Sequence, residues 1–340
     1  MTGIITTFPV TVHEYIPNPT GRPNHAVCTY EYGVSSDSAA KEKGKKNANA
    51  NALVFIGGLG DGPHGVPYVR AIAAKLLLSS SSATDDASWS VFEARLSSAF
   101  TGYGFSSLAQ DVDELEGLVR YLRKDLGKMK VVLMGHSTGC QDCVAYGLRR
   151  RRDNNKRREE EPDKEEELDV DGLILQGPVS DREAIAMTME KGEMEESVRF
   201  ALAAVERGEG ADVFMPRGLL PEPFKGGSPV TAYRWWSLAG VGGDDDFFSS
   251  DLPEEKLTEI WSSQRQPILI LPSGEDEYTP KHLIGGGMVN VVERWRSFCP
   301  PGIGSGLSGL IPGATHRVDD RNAQDWLAAR VVGFLQGLEK

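Results

Sequence analysis

Cysteine is scarce in this chain of 340 residues: Cys28, Cys140, Cys143 and Cys299 are all it has. Four thiols are too few for a disulfide scaffold and fit a reducing compartment. No apolar run approaches the roughly eighteen residues that a membrane-spanning helix needs. The opening MTGIITTFPVTVHEY has no basic stretch followed by an apolar one, so no secretory signal is expected. Positive charge is in deficit, with 37 Lys+Arg against 49 Asp+Glu and a net charge of −12. A dedicated nucleic-acid binder needs clustered cations for its phosphate contacts, so that class is excluded. Apolar residues are not scarce: 40% of the chain is hydrophobic, with 6 Trp, 12 Phe and 9 Tyr. A cytoplasmic globular protein with a real core is expected, large enough for one α/β domain with an elaboration.

Three segments read as insertions. Residues 35–51 lack apolar periodicity, and 79–88 are a polar SSSSATDDAS loop. Residues 149–169 hold 8 basic and 9 acidic side chains. Such a segment buries too little apolar surface to offset its ordering entropy, so a solvated, disordered insertion is expected there. Elsewhere, short apolar runs alternate with amphipathic stretches. Strands are expected at 26–32, 53–56, 90–94, 131–134, 173–176, 268–271 and 308–311, several of them continuously apolar, as strands buried on both faces are. Helical stripes occupy 108–126 and 323–338. This alternation predicts an α/β fold, a mostly parallel sheet covered on both faces. The core is expected at 1–180 and 267–340, with a cap or lid inserted at 181–266.

The sharpest motif is Gly135-His136-Ser137-Thr138-Gly139, between VVLM and a helical segment. A serine on a tight strand-to-helix turn needs tiny residues two before and two after it, so that strand and helix can approach. The Thr138 N–H, at the start of the following helix, then faces the oxyanion formed in acyl transfer. Serine needs a base, and the base needs an orienting acid. Asp276 follows the strand PILIL at the right distance, with Glu275 and Glu277 as competitors. His316 follows SGLIPG in Gly-Ala-Thr-His, where the base is expected; His282 stands too close behind the acid. His136 reads as a structural hydrogen-bonding residue, and His13, His25 and His64 have no positional support.

A second oxyanion donor is expected from the glycine-rich loop at 57–62, from Leu59 first and Gly60 second. That loop lacks the Lys-Ser/Thr ending of a phosphate-binding loop and the spacing of a dinucleotide site. Cys140 and Cys143 have no second Cys pair at ligand spacing and read as packing thiols, so no metal and no cofactor is expected. The stretch 181–266 supplies Tyr233, Trp235, Trp236, Phe247, Phe248 and Trp261. Trp235 and Trp236 are candidate pocket walls, and Arg182 and Arg234 candidate contacts to substrate oxygens. Asp244–Asp246 could favour a free amine.

Together these residues resemble the α/β-hydrolase superfamily over essentially the whole chain. FIGGLGDG at 55–62, LMGHSTGCQD at 133–142 and LILQGPVSDREA at 173–184 are similar to one mainly fungal branch, long labelled a domain of unknown function. TAYRWWSLAG at 231–240, DDDFFSSDL at 244–252 and SGEDEYTP at 273–280 complete the set. That branch includes intracellular esterases that open siderophores of the fusarinine and triacetylfusarinine type. The resemblance implies a Ser-His-Asp esterase carried by Ser137, His316 and Asp276, with a small-molecule ester, a ferric siderophore among the candidates, as its partner. An esterase, thioesterase or lipase acting on other metabolites, and a non-catalytic binding protein on the same fold, are the alternatives.

Overall fold

The computed structural model describes residues 8–17, 26–32, 50–80, 88–157, 168–284 and 286–339. His25, the polar stretch at 35–49, most of the 79–88 loop and residues 158–167 of the charged run lie outside the described residues.

Seven described strands form one sheet: β1 (Val10–Tyr15), β2 (Val27–Tyr32), β3 (Asn51–Ile56), β4 (Trp89–Ala94), β5 (Lys130–His136), β6 (Gly172–Gln176) and β7 (Ile268–Leu271). Their order is β1-β2-β4-β3-β5-β6-β7. β2 runs antiparallel to both β1 and β4, and the strands from β4 to β7 are parallel. The helices are α1 (Tyr68–Ser80), α2 (Leu108–Lys124), α3 (Gly139–Arg157), α4 (Asp181–Ala186), α5 (Lys191–Glu206), α6 (Glu222–Lys225), α7 (Ala232–Ala239), α8 (Glu254–Trp261), α9 (Gly286–Phe298) and α10 (Arg321–Gly337). Among the described residues no helix is long and apolar enough to cross a membrane.

Successive strand residues point to opposite faces, which is why the central strands are apolar throughout. Val131 and Leu133 of β5 pack with α2, α3, α8 and α9, whereas Val132 and Met134 pack with α1 and α10. Leu173 and Leu175 against Ile174, and Ile268 and Ile270 against Leu269 and Leu271, divide in the same way. α2 starts at Ser107, whose hydroxyl accepts the Gln110 N–H at 3.1 Å, and buries Val112, Leu115, Val119 and Leu122.

Two expectations are corrected here and one strand is added. The run at 308–311 is not a strand: Ile311 makes one isolated bridge to Ser273, just past β7, and the Gly309 N–H donates to the Ile270 carbonyl at 3.0 Å, because interspersed glycines and Pro312 leave no continuous ladder. β1 was not expected at all, since its VTVHEY alternates apolar and polar residues at the sheet edge. Residues 149–157 are not loop but the last part of α3, already nucleated by the buried turns before them. Arg149 bonds Asp113 and the Ala109 carbonyl, and Arg150 Nε reaches Asp169 at 3.1 Å.

Between β6 and β7 the chain builds a third apolar cluster from α4, α5 and α7, including Ile185, Ala201, Val230, Trp235 and Leu238. The end of that stretch behaves otherwise. Phe247, Phe248, Leu252 and Trp261 pack into the sheet core, where the Trp261 ring stacks on Trp295 at 5.4 Å.

Candidate active site

Ser137 directly follows β5 with φ 52°, a left-handed conformation that costs a residue with a Cβ about 1–2 kcal/mol. A backbone held there is over-determined by its surroundings. A Cβ at Gly135 would stand 2.1 Å from the Gly139 carbonyl oxygen, and one at Gly139 would stand 2.5 Å from the Ile56 carbonyl oxygen. Strand, turn and helix are therefore pressed together, leaving the serine at the apex. The Ser137 N–H donates to the Gln176 carbonyl at 3.1 Å, and the Ser137 carbonyl accepts from Cys140 N–H at 2.9 Å.

Asp276 follows β7 and is buried. Its Oδ2 lies 2.7 Å from His316 Nδ1, and its Oδ1 accepts the Tyr278 N–H at 3.0 Å. A proton on Nδ1 leaves Nε2 as the acceptor. Glu275 is exposed. Glu277 also contributes, but to the backbone: its carboxylate accepts the His316 N–H at 2.9 Å and so fixes the loop that carries the imidazole. His282 is exposed in a short 3-10 turn. The Tyr278 ring meets His316 edge-on at 4.8 Å.

His136 is buried and pairs through Nδ1 with Gln176 Oε1 at 2.6 Å. Gln176 Oε1 also accepts from Tyr68 at 2.8 Å, and its amide N–H donates to Ser273 at 3.1 Å. Burial, followed by the charge of His316, pushes the His136 imidazole down to about 3. His136 is thus neutral and structural, sitting 4.8 Å from the His316 ring. Burial likewise holds Cys140 and Cys143 well above the usual thiol range, and Cys140 donates to the Gly135 carbonyl at 3.3 Å.

The loop after β3 passes close to Ser137. A Cβ at Gly58 would lie 2.7 Å from Ser137 Cβ. Asp61 folds this loop on itself: its Oδ2 accepts Gly58 N–H at 3.0 Å and its N–H donates to the Gly58 carbonyl at 3.0 Å. Arg317, next to His316, lies 3.5 Å from Asp61 Oδ1 and donates to the Gly65 carbonyl. Leu59 therefore sits beside Ser137 in a braced loop, while Gly60 turns outward with φ 75°. Thr138 is buried beneath the elbow.

Ser137, His316 and Leu59 line one cavity of about 320 Å³. Ile185, Phe224 and Leu238, from the helices between β6 and β7, close it from the other side. Asp181 also lines it. It was not singled out from the sequence, although its place just past the carboxyl end of β6 is where parallel sheets put ligands.

Arg182, Trp235 and Trp236 do not line this cavity. Arg182 Nε pairs with Asp246 at 3.2 Å, and its guanidinium also holds Asp251. Trp235 is fully buried, its indole N–H donating to Ser197 at 3.1 Å. Trp236 packs at the edge of the same helical cluster. In the Asp244–Asp246 run, Asp245 and Asp246 are buried and Asp244 is exposed, and all three carboxylates are engaged by protein groups. Asp244 accepts from Tyr233, Asp245 pairs with Arg234 at 2.8 Å, and Asp246 bonds Arg182, Ser249 and the Gly242 N–H.

Sheet order, elbow and the acid–histidine pair define an α/β-hydrolase, and the likenesses to known proteins make it one of esterase type. The chain belongs to the family described as "Protein of unknown function (DUF1749)", which matches residues 5–336. Esterase AN6793 of Emericella nidulans is 30% identical over 370 residues, covering 95% of this chain and 95% of that one. Fusarinine C esterase sidJ of Aspergillus fumigatus is 29% identical over 330 residues, covering 85% of this chain and 90% of that one. The solved structure of siderophore hydrolase EstB from Aspergillus fumigatus matches with a TM-score of 0.72 at 25% identity, over 98% of both chains.

Proposed function

We propose that this protein is a serine esterase whose substrate is a hydroxamate siderophore with internal ester bonds, of the fusarinine or triacetylfusarinine type, hydrolysed inside the cell to release its iron. The observation that carries the catalytic part is the convergence of a strained elbow serine and an Asp-bound histidine on one cavity. Ser137 Oγ attacks the ester carbonyl while His316 Nε2 takes its proton. The Thr138 and Leu59 N–H groups hold the oxyanion. His316 then protonates the leaving alkoxide, and Asp276 keeps the imidazole in the required tautomer and stabilises its charged form. Water, deprotonated by His316, cleaves the acyl-enzyme and frees the carboxylic acid. The helices at 181–266 act as the cap that closes the cavity. The siderophore part is supported by two relatives, one named fusarinine C esterase and one siderophore hydrolase.

The test is hydrolysis of ferrated and iron-free siderophores alongside short and long acyl esters, by wild type and Ser137→Ala. We expect the siderophore esters to be preferred and Ser137→Ala to lose on the order of 10⁴–10⁶ in turnover. Retention of a tenth of wild-type activity by that variant would falsify the nucleophile assignment. Preference for long acyl esters would move the substrate to lipid metabolites.

A further inference from the structure

The cavity that holds Ser137 and His316 is not uniform along its depth. Thr188, Tyr278 and Arg317 line it and are exposed, so they mark its mouth. Apart from His316 and its neighbour His136, the buried residues of the lining are all aliphatic: Val179, Ile185 and Leu238. Leu238 lies deepest of the three, at 1% exposure against 7% for each of the others. An oxygen or a charge brought against this wall would lose its water without replacement, so the part of a substrate that reaches it is apolar.

Leu238 is a wall that cannot retreat. It stands one turn beyond Arg234 and Trp235 on α7, and both of those side chains are tied down. Arg234 Nη1 pairs with Asp245 at 2.8 Å and its Nε donates to the Tyr103 carbonyl at 3.1 Å, while the Trp235 indole donates to Ser197 at 3.1 Å. Leu238 itself packs in one apolar cluster with Ile185 and Trp235, and close-packed interiors yield little to a ligand. The cavity measures about 320 Å³. Since benzene occupies a cavity of about 150 Å³, one carbon takes about 25 Å³, and about 13 heavy atoms fill the present space. The ester group and the atoms at the mouth use about five of these, leaving room for about eight carbons.

We propose that Leu238 determines specificity here by closing an aliphatic compartment, which admits an apolar arm of the ester of about eight carbons and rejects longer ones. The kinetic half of this inference rests on the esterase reading above.

The binding test titrates 1-alkanols from butanol to decanol into wild type by calorimetry. Each methylene that enters should tighten Kd about fourfold, up to about eight carbons, and those beyond should add nothing. The kinetic test measures kcat/KM for 4-nitrophenyl esters from acetate to laurate and for alkyl acetates from butyl to decyl, so that an arm on either side of the ester is read. One series should peak near eight carbons in wild type. Leu238→Ala takes three carbons from the wall and should move that peak outward by about two to three carbons. Leu238→Phe adds three and should move it inward by as much. The peak compares substrates on the same folded molecules, so a smaller folded fraction does not shift it. Val230→Ala loosens the same apolar cluster away from the cavity lining and should leave the peak in place. Alkanol affinity that climbs unbroken to decanol, or does not climb at all, overturns the compartment even where the variants fail to fold. So does a wild type with no peak in either series. A peak that both Leu238 variants leave in place, or that Val230→Ala moves equally, overturns the role of Leu238. Absence of Ser137-dependent turnover of 4-nitrophenyl acetate overturns the esterase reading instead, and the alkanol titration still decides the compartment.

Discussion

Replacing Arg234 with Met removes the cation that pairs with buried Asp245 behind the cavity while keeping the apolar length of the side chain. Arg234 is 3% exposed and Asp245 is 3% exposed, so water cannot compensate the carboxylates left behind. Breaking a buried pair from one side costs about 3–5 kcal/mol. Proton uptake caps that cost, since an ordinary carboxyl with a pKa near 3.9 is protonated at pH 7 for about 4 kcal/mol. We therefore expect a loss of about 4 kcal/mol at pH 7. At the usual unfolding entropy per residue, 340 residues convert this to a melting temperature lower by about 6 °C. Losing the cation raises the carboxyl pKa in the folded state. The deficit is thus absent below the unfolded pKa and grows as pH rises, by about 1.4 kcal/mol per unit. The double variant Arg234→Met with Asp245→Asn should recover most of the loss, because it removes both charges. Thermal and urea unfolding at pH 5, 6 and 7 measure all of this. A loss below about 1 kcal/mol at pH 7, or one that does not shrink on acidification, refutes the electrostatic account.

Two further outcomes follow from the site. Gly58→Ala places a methyl 2.7 Å from Ser137 Cβ and must displace the loop that carries Leu59; kcat should fall about 10²–10³-fold with the loss of an oxyanion donor. Unchanged kcat in steady-state ester hydrolysis would separate this loop from catalysis. Asp276→Asn keeps the shape but disturbs the His316 tautomer, and should lower kcat about 10⁴-fold with little change in KM. A loss under tenfold would return the acid role to Glu277 or Glu275.

How legible the molecule was depends on whether a feature is local or long-range. β3, β5, β6 and β7 could be read directly because strands buried on both faces must be apolar throughout, and glycine or proline marks their ends. β1 could not: His13 is accommodated by Tyr121 and Glu31, partners far away in the chain. The elbow could be read because Gly135 and Gly139 are demanded by contacts within five residues of chain and one neighbouring strand. The cavity wall could not, since an aromatic side chain packs equally well in a core or along a pocket, and Trp235 took the core.

The charged residues at 181–182 make the same point about side-chain direction. Neighbours on a helix project about 100° apart, so adjacent side chains serve different surroundings. Arg182 turns toward Asp246 and Asp251, more than sixty residues downstream, and it is this pairing that uses up part of the Asp244–Asp246 run. Asp181 turns toward the cavity, where Gln141 occupies only one of its oxygens. From the sequence, the exposed-looking triple aspartate is the obvious place for a cationic group. In the folded chain Asp245 and Asp246 are satisfied by Arg234, Arg182 and hydroxyls, Asp244 stays exposed beside Tyr233, and the acid that faces the cavity is the single aspartate that opens α4. Which acids face the cavity is therefore decided by how the fold turns each side chain, not by where acids are densest along the chain.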